Sequence, residues 1–589
     1  MEFPVKAINL SYKDNLSNII NYNYNLKGSF IKRLHMLIPL FLVLVLLAGC
    51  GGSSSNTNDN TTFPDAVPYN ASFVSDHFSG SQHCARCHDG LSDQKGNDLS
   101  IHKAWQSTMM SNSAIDPLWK AKVASEVKRN PHAKEVIEEK CSRCHTPMAN
   151  AEANFAGDPV ALLDDGFLNP DNPHYDAAMN GVSCTLCHQI ENTPELGTIE
   201  GFSGGFEIAD NLGTDRNIYG PYSDPLVNPM INNVNFTPVH SAHVNESKLC
   251  ATCHNLDTPV LHPNGEAAGI YFPEQAPYTE WEYSDFNRTH NCQSCHMPVA
   301  EGSVIISTLP QNGSLNPRSP FHQHRFIGAN TYMLNIIKNN KTKLGAIADD
   351  AGFDQTIANS RELLKAAADT EIIRASLTDG KLGFSVKVTN HSGHKFPTSI
   401  PTRRAWLHVT IKDAEKTTLF ESGALAPDGR EIIGVDDNPV GTYEPHYDKI
   451  VDASQVQVYE GIMTDTEDHL TYTLLHAAKF LKDNRILPQG MDKTDINLPD
   501  NIKTYGAAAN DTDFIGGSDT VDYEVALPPS TSYMITVTLM YQTLSYGFAR
   551  DLYQDDELPE VARMKSLDQQ TDLHSEEVSG DQKVVNILP

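Results

Sequence analysis

Cys84-Ala-Arg-Cys87-His88 is the first of five copies of one five-residue pattern. The others are Cys141-Ser-Arg-Cys144-His145, Cys184-Thr-Leu-Cys187-His188, Cys250-Ala-Thr-Cys253-His254 and Cys292-Gln-Ser-Cys295-His296, and together they use ten of the 11 cysteines. Two thiols three residues apart, followed at once by an imidazole, form the arrangement through which c-type haem is attached. The thiols add to the two vinyl groups of one porphyrin, and the histidine ligates the iron from beneath. One motif stands for one haem, so five covalently bound haem c are expected, with His88, His145, His188, His254 and His296 as proximal ligands. Structural zinc would pair such knuckles to reach four ligands, and an odd number of them, each followed by histidine, fits that badly. Isolated disulfides leave the histidines without a role.

Working outward, the motifs fall within residues 69–329, separated by Pro-, Gly- and Asn-rich connections with short helical runs such as 118–129. So little periodic apolar sequence predicts a region whose core is supplied largely by the porphyrins. A helical linker is expected over 330–368, broken near 349–352. From 369 to 565 the pattern changes to short alternating segments at 372–378, 382–389, 405–412, 455–463, 520–527 and 533–541, which read as strands of an antiparallel β-sandwich-like domain. The acidic stretch 566–589 is expected to be a peripheral tail. The fold class is therefore α+β: a loop and short-helix region stabilised by haem, then a β-sandwich with no cysteine and no haem of its own.

The eleventh cysteine, Cys50, closes the apolar run 37–47 behind Lys32 and Arg33. That run is too short to span a bilayer and reads as an export signal. Leu47-Ala48-Gly49-Cys50 resembles the bacterial lipoprotein signal, in which cleavage before the cysteine leaves Cys50 to carry acyl chains that hold a protein at a membrane surface. Residues 1–49 are read as signal peptide and leader, with translation from Met36 as an alternative start, and 50–68 as a lipidated flexible tether rich in Gly, Ser and Asn. Gly51 and Gly52 stand where some bacterial lipoproteins carry the acidic residue of inner-membrane retention, so the resemblance to that signal implies the outer membrane, on its periplasmic or cell-surface face. The formal charge is -30, from 44 basic and 74 acidic residues. That excludes nucleic acid as a partner.

Whether the irons are closed or open decides between carrier and catalyst. Of the 24 histidines, five are in motifs and His35 falls in the leader, leaving 18 for at most five distal positions. His102, His240, His243, His324 and His394 are the candidates, with Met109, Met110, Met148 and Met297 as thioether alternatives.

Residues 105–117 (WQSTMMSNSAIDP), 141–148 (CSRCHTPM), 181–188 (GVSCTLCH), 249–255 (LCATCHN), 292–298 (CQSCHMP), 324–330 (HRFIGAN) and 393–398 (GHKFPT), with Arg404-Ala405-Trp406, resemble the multihaem cytochrome c family of bacterial respiratory and extracellular electron transfer. The resemblance covers most of residues 80–550 and implies that His324 and His394 are distal ligands. It implies an anchored electron carrier in anaerobic or extracellular respiration. Its partners would be other redox proteins or extracellular electron acceptors, with further copies of the chain, as homo-oligomer or filament, as another class. The alternative is a multihaem reductase of a small nitrogen or sulfur oxyanion with one open haem; no motif here exchanges its histidine for lysine, as one such family does. Intact-mass measurement of the exported protein is expected to show five added tetrapyrroles and no zinc.

Overall fold

Asp116 and Pro117 show how this sequence starts a helix: the Asp116 carboxylate accepts from the N–H groups of Leu118 and Trp119, and proline occupies the first turn, where its missing N–H costs nothing. The helix Pro117–Arg129 that follows buries Trp119, Val123 and Ala124. Its last turn is pinned by Arg129, which pairs with Asp551 at 2.7 Å and Asp555 at 2.8 Å. A helix from the haem region is thus held by residues more than 400 positions later.

In this computed structural model residues 63–311 and 313–587 are described; the leader, Cys50 and the tether as far as residue 62 lie outside the described residues. Each motif sits on a helix or its end: Gln82–His88, Lys134–His145, Cys184–Cys187, Ser247–His254 and Cys292–His296. Helical geometry brings residues three apart onto one face, which is what a porphyrin attached through two thiols needs. Two small ribbons complete the region, β1 (Asn217–Gly220) paired parallel with β2 (Thr237–His240), and β3 (Leu256–Leu261) paired antiparallel with β4 (Ala267–Gln275). The expectation of a region almost without a protein core is corrected: Phe73, Phe78, Trp119, Val123, Met148, Phe167 and Leu186 form one.

The linker is three helices, Thr331–Asn339, Lys341–Leu344 and Asp350–Ala367. The break, expected near 349–352, falls earlier, from Gly345, left-handed at φ +87°, to Asp349, which caps the last helix by accepting from the Gly352 N–H, so residues 350–352 are its first turn. Tyr332, Met333, Ile337 and Phe353 from these helices pack with Ala114 and Ile115 of the haem region and with Phe480, Phe548, Leu552 and Val561 of the last third. One core spans all three, and residues 61–589 form one compact unit. The positions 329/330 and 368/369 mark changes of structural type within it.

The β region is two facing sheets. One runs β11 (Lys479–Asp483), β10 (Val458–Thr464), β7 (Arg404–Lys412), β13 (Ser532–Gln542), β14 (Glu576–Asn586), with β8 (Thr418–Ser422) also on β7. The other runs β5 (Ala368–Thr378), β6 (Lys381–Asn390), β12 (Ser518–Ala526), β9 (Lys449–Ile450). All neighbours are antiparallel except β12 and β9. Leu382, Phe384, Val386 and Val388 on β6 face Val409 and Ile411 on β7 and Ile535, Val537 and Leu539 on β13 within one core. Alternation along each strand places these residues on the inner faces.

The acidic end of the chain is not peripheral. Residues 559–569 form a helix, and β14 lies along β13 from Ser532 opposite Asn586 to Tyr541 opposite Glu576. Of the four charged residues of β14, Glu577 is exposed and Glu576, Asp581 and Lys583 are half-buried, while Val578 is buried. Among the described residues no helix is long and apolar enough to cross a membrane. Truncation of residues 571–589 is expected to lower the thermal unfolding midpoint by on the order of 5 °C. It should also cause self-association through the bared β13 edge, read by light scattering; an unchanged midpoint would restore the peripheral reading.

Candidate functional site

All ten motif cysteines and all five motif histidines line a single continuous cavity. Four of the histidines are held in the same way. Nδ1 donates to a backbone carbonyl: His88 to Ile306 at 2.7 Å, His145 to Ser113 at 3.2 Å, His188 to Tyr219 at 2.6 Å and His296 to Ile327 at 2.5 Å. Fixing the proton on Nδ1 leaves the Nε2 lone pair free for a metal. For His188 and His296 the bond is returned, since Tyr219 and Ile327 donate their own N–H groups to the histidine carbonyls. His254 has no such anchor among the described contacts. Burial holds all five below the usual imidazole range, His145 and His254 at about 4. A buried imidazole is thereby kept neutral, as ligation requires. Trp119 stacks on His145 with ring centres 4.5 Å apart and planes 4° from parallel.

The distal candidates separate clearly. His324 stands across from His188 with ring centres 6.2 Å apart and planes 23° from parallel, and His394 stands across from His296 at 6.3 Å and 17°. An imidazole nitrogen binds a metal at about 2 Å and the ring centre lies about 1 Å behind it, so two rings on opposite sides of one metal have centres about 6 Å apart. Both pairs have that separation. His102 is buried, its Nδ1 3.3 Å from Asp89 Oδ2, and its Nε2 is buried without a hydrogen-bond partner on the cavity wall. Two expectations are corrected. His243 has both nitrogens engaged, with Ser241 Oγ at 2.7 Å and the Ile190 carbonyl at 2.8 Å. His240 is exposed on β2, and neither of the two lines the cavity.

One candidate was missed. His322 lines the cavity with Nδ1 2.9 Å from the Met297 carbonyl, and its Nε2 makes no hydrogen bond. The available signal was its place two residues before His324, since alternate residues of an extended segment share a side. Met109, Met110 and Met297 also line the cavity, while Met148 is buried elsewhere and its sulfur accepts from Thr185 at 3.6 Å.

His394 belongs to the loop between β6 and β7 and is held against the haem region by buried charges. Lys395 Nζ pairs with Asp483 at 2.7 Å, both fully buried; Arg485 pairs with Asp483 at 2.7 Å and with Glu280 at 3.0 Å. Glu280, on the helix Pro277–Glu282, also accepts from the Lys395 N–H at 3.1 Å and the Thr398 hydroxyl at 2.6 Å. Gly393 is where this loop presses closest: a Cβ there would lie 3.2 Å from both Trp281 and Phe286.

The thiols also order the motifs. Cys84 interacts directly with Cys184, Cys144 with Cys253, and Cys250 with Cys292, while Cys187 lies near Cys253 and Cys250. The first motif therefore adjoins the third, the third adjoins the fourth, and the second and fifth both adjoin the fourth. Of the ten, Cys295 alone is exposed.

Paired thiols at each motif, neutral imidazoles with free Nε2 atoms, and rings spaced for two-sided ligation are a donor set that fits haem. No family model and no curated protein matches the chain. Among solved structures, a penta-haem cytochrome c552 from Thermochromatium tepidum is similar at 16% identity, over 86% of this chain and 99% of that one, with a TM-score of 0.49. Replacing His324 or His394 by alanine is expected to convert one low-spin haem to a high-spin, carbon-monoxide-accessible form in electron paramagnetic resonance and difference spectra. His243→Ala should leave those spectra unchanged and cost only about 1–3 kcal/mol of stability in denaturant unfolding.

Proposed function

We propose that the chain is a multihaem c-type cytochrome carrying electrons through five covalently bound haems, anchored by acylated Cys50 at the outer membrane. The reading rests on the imidazole pairs His188/His324 and His296/His394, spaced for an iron closed on both sides. Haem iron supplies one-electron chemistry when bound. The continuous adjacency of the motifs supports a relay, with the fourth as its junction. Exposure at Cys295 supports the fifth motif as the point where a redox partner or extracellular acceptor is met.

A second reading, an oxyanion reductase, draws support from one feature. With His324 and His394 paired, His83, His102, His290, His322 and His391 also line the cavity, but among the described residues none of them stands across from His88, His145 or His254 as those two stand across from His188 and His296. Glu274 lines the same cavity, receives a hydrogen bond from Thr258 at 2.8 Å, and is pushed up to about 7 by burial. A carboxyl group so placed can hold a proton at neutral pH.

Electron paramagnetic resonance of the full-length holoprotein, with added nitrite and carbon monoxide, separates the two. Low-spin signals accounting for all five haems, unchanged by either ligand, are expected of the carrier. A high-spin signal that shifts with nitrite would transfer the assignment to the reductase.

A further inference from the structure

His446, Asp448, Asp511, Asp513 and Asp519 converge where the loop before β9 meets the loop before β12. Ligand atoms of His446, Asp511 and Asp519 lie within 4.8 Å of one another, and so do those of Asp448, Asp511 and Asp513. Asp511 belongs to both groups. Among the described residues none of the four carboxylates pairs with a lysine or arginine; the only ion-pair partner is His446, on Asp511. The nearby Lys493 instead donates to the backbone carbonyls of Ala508 and Asp511 and lies over the Phe514 ring.

Asp519 is fully buried. Its Oδ2 accepts from the Tyr459 hydroxyl at 2.8 Å and the Gln457 amide at 3.1 Å, but its Oδ1 has no hydrogen-bond partner. A buried carboxylate oxygen left bare is costly and calls for a positive neighbour.

The tautomer of His446 selects the kind of cation. Gln457 Oε1 accepts from the Tyr447 N–H at 2.8 Å, which turns its amide nitrogen onto His446 Nδ1, also at 2.8 Å. Asn484 Oδ1 accepts from the Glu460 N–H at 3.0 Å, and its Nδ2 donates to the Val458 carbonyl at 2.8 Å and to His446 Nδ1 at 3.0 Å. Backbone partners thus fix both amides, and both donate to Nδ1. The ring proton lies on Nε2 and is donated to Asp511 Oδ2 at 2.9 Å. His446 therefore orients Asp511 and offers no lone pair, which leaves only oxygens as ligands. An all-oxygen donor set selects hard cations. An irregular set of four protein carboxylates suits Ca²⁺, which takes six to eight oxygens in flexible geometry, better than Mg²⁺, which demands a near-ideal octahedron and keeps its waters.

We propose that the β region binds one calcium ion through the carboxylates of Asp448, Asp511, Asp513 and Asp519, with His446 orienting Asp511. The ion ties the loop containing Asp448 and the loop containing Asp511 to the start of β12.

The test uses full-length holoprotein stripped with EGTA, then titrated calorimetrically with CaCl₂, MgCl₂ or ZnCl₂ and followed by thermal unfolding. One Ca²⁺ per chain is expected, with Kd on the order of 10⁻⁴ M, the range of extracellular modules. Calcium should raise the unfolding midpoint where equal magnesium does not. Asp448→Asn and Asp513→Asn, at the exposed rim where the fold is insensitive, should each weaken calcium binding at least about tenfold. Asp519→Asn, nearly isosteric, should abolish it. No calcium heat and no midpoint shift in the parent protein would overturn the proposal. So would tighter binding of zinc, which would make His446 a ligand, or unaltered affinity in both rim variants.

Discussion

The contact on which the rest depends is the buried cluster of Glu280, Arg485, Asp483 and Lys395. It joins the helix Pro277–Glu282 of the haem region to the end of β11 and the loop that carries His394, so the second half of the chain supplies a side chain to a cavity built by the first. Its charges are almost wholly excluded from water. The two acids and two bases compensate one another, and the leftover hydrogen-bonding capacity is used: Lys395 Nζ also donates to the Lys503 carbonyl at 3.0 Å and Arg485 Nε to Asp483 at 2.8 Å. With both cations facing it, Asp483 is held down to about 2 despite burial. Removing one member of such a cluster strands another and costs about 3–5 kcal/mol, whereas an all-apolar substitute would be no weaker. The gain from charge is orientation: four groups with fixed partners place the His394 loop in one position, where an apolar patch would tolerate sliding.

The same logic recurs at smaller scale around four of the five motifs. An imidazole can rotate about two bonds and carry its proton on either nitrogen. A carbonyl on Nδ1 removes both freedoms at once, and for His188 and His296 the reciprocal backbone bond ties the residue with the accepting carbonyl to the motif itself. Tyr219 and Ile327 act here through backbone atoms, so their side chains carry no mark of the role.

That explains which parts were legible in the sequence. The five motifs, the helix at 118–129, the broken linker and the six longer strands are local patterns, in which a residue's neighbours in sequence determine its environment. His324 and His394 were reached through short flanking strings. What could not be read depends on distant contacts. His243 could be set aside only once its partners were known, because the Ile190 carbonyl that closes its second nitrogen lies 53 residues away in sequence. Lys395 reads as a surface charge until Asp483 and Glu280 are brought to it. β14 was obscured because its three acidic residues and one lysine resemble a solvated tail, although Val578 already marked an inner face. β9, two residues long, is below any pattern threshold.

The cavity also constrains how the molecule can be assembled. It is lined by Trp105, Val182, Ile218, Phe236, Leu249 and Ile327 as well as by the motifs, and residues from Ile400 to Phe548 close it from the other side. Apolar walls of that extent facing water oppose folding in proportion to their area, and the opposition disappears only when an apolar group fills the space. A flat apolar ring held through the motif thiols would supply such a filling. The loop carrying His394, fastened by Glu280 and Asp483, lines the same cavity as Cys292 and Cys295, so the buried charge cluster and that filling have to be accommodated together.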